Sequence, residues 1–197
     1  MSDSPKISRS KVDLFCQCPR CFWLDKRHGV TQPSSAPFTL NNAVDALLKK
    51  EFDIYRENQE VPPFLKALRI EAVPFAHPQI EEWRNNRKGI RHVHERTGLY
   101  LYGAVDDVWA LPSGELAVVD YKAKATSNPI TLEPKRKKTG EIVKTDRYLI
   151  SYKKQIEFYQ WLFRQNGFQV SKTAYFLFAN ALKDRPAFDD QLTFERT

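Results

Sequence analysis

Hydrophobic and polar positions divide the chain into helix-like and strand-like stretches joined by short polar segments. Residues 10–27 carry Val12, Phe15, Phe22 and Trp23 towards a core, interrupted at Pro19, and Ser10 with Asp13 three residues later fits a capping box. A Pro/Ser loop follows at 31–37. Asn41 or Asn42 can cap a second helix over 42–57, where Val44, Leu47, Leu48, Phe52 and Tyr55 recur at helical spacing. Pro62-Pro63, Pro74 and Pro78 break 60–90 into short pieces. A strand begins at Ile90, and 99–111 and 115–123 both read as strands rich in Leu, Val, Tyr and Trp. Residues 124–146 are polar and read as a loop. An amphipathic helix spans 147–166 and stops before Gly167. Residues 172–180 form a strand, and 189–197 a final edge strand. This order predicts an α/β (α+β) domain with a central mixed sheet flanked by helices.

Pro112-Ser113-Gly114 joins two of those strands. Pro at the first turn position and Gly at the left-handed one suit a three-residue hairpin loop with a bulge. If Leu111 opposes Glu115, Asp106 falls opposite Asp120, with Cβ atoms roughly 4.5–5.5 Å apart. Lys122 shares their face and Asp107 points to the other. Two carboxylates about 4 Å apart repel by about 4 kcal/mol at an effective dielectric near 20. Such a pair persists if one member is protonated, if Lys122 compensates, or if a divalent metal sits between them; a solvated edge with splayed charges is the bland alternative. Glu115-Leu-Ala-Val-Val-Asp-Tyr-Lys122 is apolar on both faces until Asp120, as in a central strand covered on both sides. Ionised groups at the end of a buried strand need partners, and oxygen-only ligands favour magnesium or manganese.

Gly103-Ala-Val-Asp106 followed by Asp120-Tyr-Lys122 resembles the core of the PD-(D/E)XK nuclease superfamily. Tyr152-Lys-Lys-Gln155-Ile-Glu-Phe-Tyr159 resembles the Gln-x-x-x-Tyr helix motif of its RecB-like branch, which includes CRISPR-associated exonucleases. The opening Ser8–Trp23, with its Cys18-Pro-Arg step before an aromatic, resembles that branch's N-terminal helix. The resemblance implies a restriction-endonuclease-like core and a metal-dependent DNA nuclease, exonuclease-like, serving DNA repair, recombination or CRISPR-type processing. It implies Asp106, Asp120 and the backbone carbonyl of Tyr121 as metal ligands and Lys122 as the catalytic amine. Asp45 stands where the branch typically has a metal-binding histidine and keeps a metal-competent group, so it is a further candidate ligand, with a solvated helix residue as the bland alternative. Gln155 and Tyr159, four apart on one helix face, are implied to touch the DNA backbone or the catalytic lysine, although Tyr159 also suits core packing. A catalytically inactive DNA-binding module, or a subunit working with a helicase or integrase-type partner, is the alternative. Related proteins often hold an iron–sulfur cluster through the equivalent of Cys18 and three later cysteines; this chain has none after Cys21, so a cluster is doubtful and Cys16, Cys18 and Cys21 read as buried or free thiols. A zinc site would need a fourth ligand, with His28 the nearest candidate.

Composition sharpens this in three respects. At 197 residues and 42% hydrophobic, the chain suits a single domain over 8–197 behind a flexible tail at 1–7, possibly lacking a C-terminal segment. A net charge of +7 suits a polyanion such as single- or double-stranded DNA. Lys135-Arg136-Lys137-Lys138, with Lys144, Arg147, Lys153 and Lys154, forms a candidate phosphate-contacting patch. No apolar run is long enough to span a bilayer, and Met1-Ser-Asp-Ser-Pro-Lys lacks the core of a signal peptide, so a cytoplasmic location with reduced thiols is expected.

Overall fold

Leu116, Ala117, Val118 and Val119 are buried on both sides of their strand because helices cover both faces. The computed structural model describes residues 5–33, 38–133, 139, 147–184 and 192–197. In chain order the elements are β1 (Lys6–Ser8), α1 (Arg9–Gln17), α2 (Pro19–His28), α3 (Thr39–Asn58), α4 (Pro63–Ala67), β2 (Val73–Pro74), α5 (Ile80–Arg84), β3 (Ile90–His94), β4 (Leu99–Gly103), β5 (Asp107–Ala110), β6 (Leu116–Lys124), α6 (Arg147–Gln165), β7 (Tyr175–Ala181) and β8 (Phe194–Arg196). β1 begins within the stretch read as a tail.

The mixed α/β architecture is as expected, but its strands form two sheets. One has the order β2-β5-β6-β7-β8, with β6 antiparallel to β5 and parallel to β7. The other is three-stranded, β1-β4-β3. The stretch read as one strand over 99–111 therefore breaks after Gly103, and residues 104–106 carry the chain from one sheet to the other. Close approach explains the break. A Cβ on Gly103 would lie 2.6 Å from Cε1 of Tyr159, and one on Gly89, whose φ is +63°, would lie 2.4 Å from the Gly103 carbonyl oxygen. Only glycine fits at either place.

Two cap assignments also change. α1 starts at Arg9 with Ser8 as its N-cap and no side-chain capping bond. Asp13 accepts instead from Gln17 and from the Ser151 hydroxyl on α6, so tertiary packing outweighs the local box. α3 begins a turn earlier than expected, at Thr39, with no side-chain cap at Phe38. The break before Pro19 is where the sequence puts it, and Cys18 caps α2 by accepting from the Cys21 N–H at 3.2 Å.

The two faces of β6 belong to different cores. Leu116 and Val118 pack with Ile156, Tyr159, Leu162 and Phe163 of α6. Val119 and Tyr121 pack with Val44, Leu48 and Phe52 of α3. Burying such side chains is worth about 1.5–3 kcal/mol each, which fixes the register of β6 between the helices.

Candidate active site

The Pro112–Gly114 turn sets the geometry. Leu111 donates to the Glu115 carbonyl at 2.9 Å, Gly114 takes φ +82°, and Asp107 pairs with Val119. Continuing that register by one residue brings Asp106, at the entrance to β5, against Asp120, as the turn spacing predicts. Asp106 Oδ2 accepts a hydrogen bond from the backbone N–H of Tyr121 at 2.8 Å. Asp120 Oδ1 accepts from Nε2 of Gln155 on α6 at 2.7 Å. The Lys122 ammonium lies against Asp120 Oδ2 and stands 5.0 Å from the centre of the Tyr152 ring. From α3, Lys49 Nζ lies 2.8 Å from Asp45 Oδ2 and 3.8 Å from Asp106 Oδ1.

Charge in this cluster is under pressure. Burial, and then the charge of Asp120, push the Asp106 carboxyl up to about 7 despite Lys49 and Lys122. A quarter of the Asp106 side chain still meets solvent, which leaves it an open approach. Burial also raises the Asp120 carboxyl, against the pull of Lys122. Asp120 Oδ2 is buried and, although it faces Lys122, accepts no hydrogen bond of normal geometry among the described residues.

A family model described as the PD-(D/E)XK nuclease superfamily matches residues 6–196. The chain belongs to the PD-(D/E)XK nuclease superfamily. No curated protein sequence matches it.

Nucleases of this superfamily typically use divalent metals, and the donor set here suits one. Two carboxylates press together at a strand end, one with a buried oxygen that meets only the Lys122 ammonium and the other disfavoured as an anion, and a hard dication relieves both. Among the described residues, however, no group of three His, Cys, Asp or Glu side chains gathers to hold an ion. Asp45 lies on the correct side of α3, but its carboxylate is engaged by Lys49.

The remaining expected residues are distributed unevenly. Gln155 is in the site and spends its amide N–H on Asp120. Tyr159 is a core residue, 4% exposed, packed over Gly103, and burial raises its phenol. Lys135, Arg136, Lys137, Lys138 and Lys144 lie outside the described residues, as does the Arg147 side chain. Lys153 and Lys154 are exposed on α6, with Lys153 3.8 Å from Glu157. The three cysteines are free thiols, exposed or half-buried rather than buried. Cys18 sits at the opposite end of α1 from Arg9, about 13 Å along the helix axis. Its thiol is held below its usual range, first by the Cys21 thiol. His28 packs edge-to-face against Trp23 instead of joining them, with ring centroids 4.7 Å apart.

Three features of this superfamily member carry little or no signal in the sequence. Lys49 is signalled only by its i, i+4 spacing from Asp45. Arg9 has no signal, because its approach to Asp120 depends on how α1 docks. The third is a buried network directly behind the site. Asp107 is fully buried; its Oδ1 accepts from Arg56 at 2.5 Å, Arg84 at 3.1 Å and the Val108 N–H at 2.7 Å. Its Oδ2 accepts from the Tyr121 hydroxyl at 2.8 Å and from Trp109 Nε1 at 3.3 Å. Asp53 accepts from both arginines, and Glu51 pairs with Arg196.

Proposed function

We propose that the protein is a magnesium- or manganese-dependent deoxyribonuclease of the RecB-like branch, cutting DNA exonucleolytically. The observation that supports this best is the meeting of Asp106 and Asp120 across the β5–β6 register, with Lys122 and Gln155 bound to Asp120. Asp106 and Asp120, with the Tyr121 carbonyl, would hold the cation, which when bound polarises a phosphoryl oxygen and lowers the pKa of an attacking water. Gln155 fixes the orientation of Asp120. Lys122, an ammonium beside a carboxylate, is suited to offset negative charge building on the phosphate rather than to act as a base. Phosphate contacts alone carry no sequence preference. Work in DNA repair, recombination or CRISPR-type processing beside a helicase or integrase-type protein belongs to the same proposal, and co-purification tests it.

End-labelled single- and double-stranded DNA, incubated with the protein and Mg²⁺ or Mn²⁺, should release short products from an end, and EDTA should stop it. Absence of cleavage, together with absence of calorimetric cation binding, would refute the enzymatic reading. A second reading draws support from the lysines that already face both carboxylates: a DNA-binding module without catalysis. It predicts salt-sensitive DNA binding that survives Lys122→Ala and no cation-dependent cutting.

A further inference from the structure

We propose that Lys49 is an internal counter-cation of the active site, held by Asp45 against Asp106, so that the centre takes one divalent cation rather than two. This assignment rests on the nuclease reading for the phosphodiester it invokes. Its charges rest on geometry alone.

Lys49 and Asp45 are one turn apart on α3, a helix anchored to β6 through Val44, Leu48 and Phe52. The Lys49 ammonium is thereby directed at Asp106, 3.8 Å away, while Asp45 holds it at 2.8 Å. Across the site Lys122 faces Asp120 in the same way. Three carboxylates against two ammonium groups leave one net negative charge. Arg9, the next cation felt by Asp120, is matched by Asp13 at 3.6 Å and leaves this balance unchanged.

One divalent cation and one phosphodiester then bring the centre to neutrality. Without Lys49, the cation alone reaches neutrality, and the phosphodiester arrives with surplus negative charge. A second divalent cation between Asp45 and Asp106 would have to displace the ammonium that both carboxylates already face. Among the described residues, no three-acid group exists to reward that displacement. Lys49 thus lowers cation affinity and raises acceptance of the phosphate. A residue that merely braced α3 would not couple these two effects in opposite directions.

The test is calorimetric titration of Mn²⁺ into the wild type, Lys49→Met and Lys49→Arg, alongside steady-state cleavage of a short DNA. The wild type should bind one Mn²⁺ per chain. Lys49→Met should bind Mn²⁺ about tenfold more tightly, or take a second ion, while its KM for DNA rises about tenfold. Lys49→Arg, which keeps the charge, should stay near wild type in both. Two ions in the wild type, or an unchanged or weaker Mn²⁺ affinity in Lys49→Met, overturns the assignment. If the wild type cuts no DNA but Lys49→Met still tightens Mn²⁺ binding, the counter-cation stands and the nuclease reading falls. If the wild type cuts DNA but Lys49→Met shows no such tightening, the nuclease reading stands and the counter-cation falls.

Discussion

Asp106 and Asp107 are neighbours in the chain with opposite fates. Asp107 is sealed inside the molecule and receives five donors, two of them from guanidinium groups. Asp106 accepts one hydrogen bond, from Tyr121, and faces Asp120 with a lysine at 3.8 Å. Asp107 and Asp53 hold the charge of Arg84 firmly despite its burial, so the inner network is balanced in charge, although Arg84 Nε has no hydrogen-bond partner among the described residues. The outer cluster is left incomplete. Satisfied polar groups hold a structure together, whereas unsatisfied ones of the same chemical type remain available for binding.

The difference can be broken most severely from the inside. Asp107→Ala removes the buried carboxylate that two buried guanidinium groups share and leaves them only the half-exposed Asp53 as an ion-pair partner, which typically costs about 3–5 kcal/mol. For a chain of this size that corresponds to a fall of about 6–20 °C in Tm. A loss of under 3 °C in thermal melting would show that the network does not carry this load.

Asp106→Asn should act in the opposite sense. The folded-state carboxyl titrates near 7, above its ordinary value of 3.8, so the folded protein without metal binds a proton more readily than the unfolded chain. Its contribution is then most favourable below pH about 4 and is lost as pH rises through about 7. At pH 8, without metal, Asp106→Asn should be more stable than wild type by about 2 kcal/mol, allowing for the solvent-exposed quarter of the side chain. Added Mn²⁺ should raise the Tm of the wild type and leave that of the variant unchanged, and DNA cleavage should fall at least about a hundredfold. A variant melting at or below the wild type at pH 8 would contradict the pressure on this carboxyl.

The smallest effect should come from trimming one donor. Trp109→Phe removes the 3.3 Å bond to Asp107 and some of the stack on Phe52, and should cost about 1–2 kcal/mol. Cleavage rates within twofold of wild type are expected. A large loss of cleavage in a well-folded Trp109→Phe would mean that the two regions are coupled after all.

Much of this was legible from local chemistry. The Pro-Ser-Gly turn specified the register, and with it the opposition of Asp106 and Asp120 and the inward course of Asp107. The helical spacing of Val44, Leu48 and Phe52 located α3, and Gly167 marked where α6 ends. What stayed hidden depends on residues distant in sequence. Arg56 and Arg84 look like ordinary surface cations until α3 and α5 bring both to Asp107. β1 has only three residues, and its pairing with β4 spans more than ninety positions. The split of 99–111 between sheets depends on Gly89 meeting Gly103, which no local window contains. The bond from Gln155 to Asp120 was also hidden, because it depends on where α6 crosses β6.

One consequence of the Pro112–Gly114 connection concerns mutational tolerance. Surface connections usually absorb a lost or gained residue, but this one acts as a phase marker for alternating side chains. Deleting Ser113 would shift one strand against the other by a single step, aiming the arginine-bound acid outwards and driving its neighbour into the interior. Length variation here, normally the mildest change a protein meets, would exchange the roles of two adjacent aspartates.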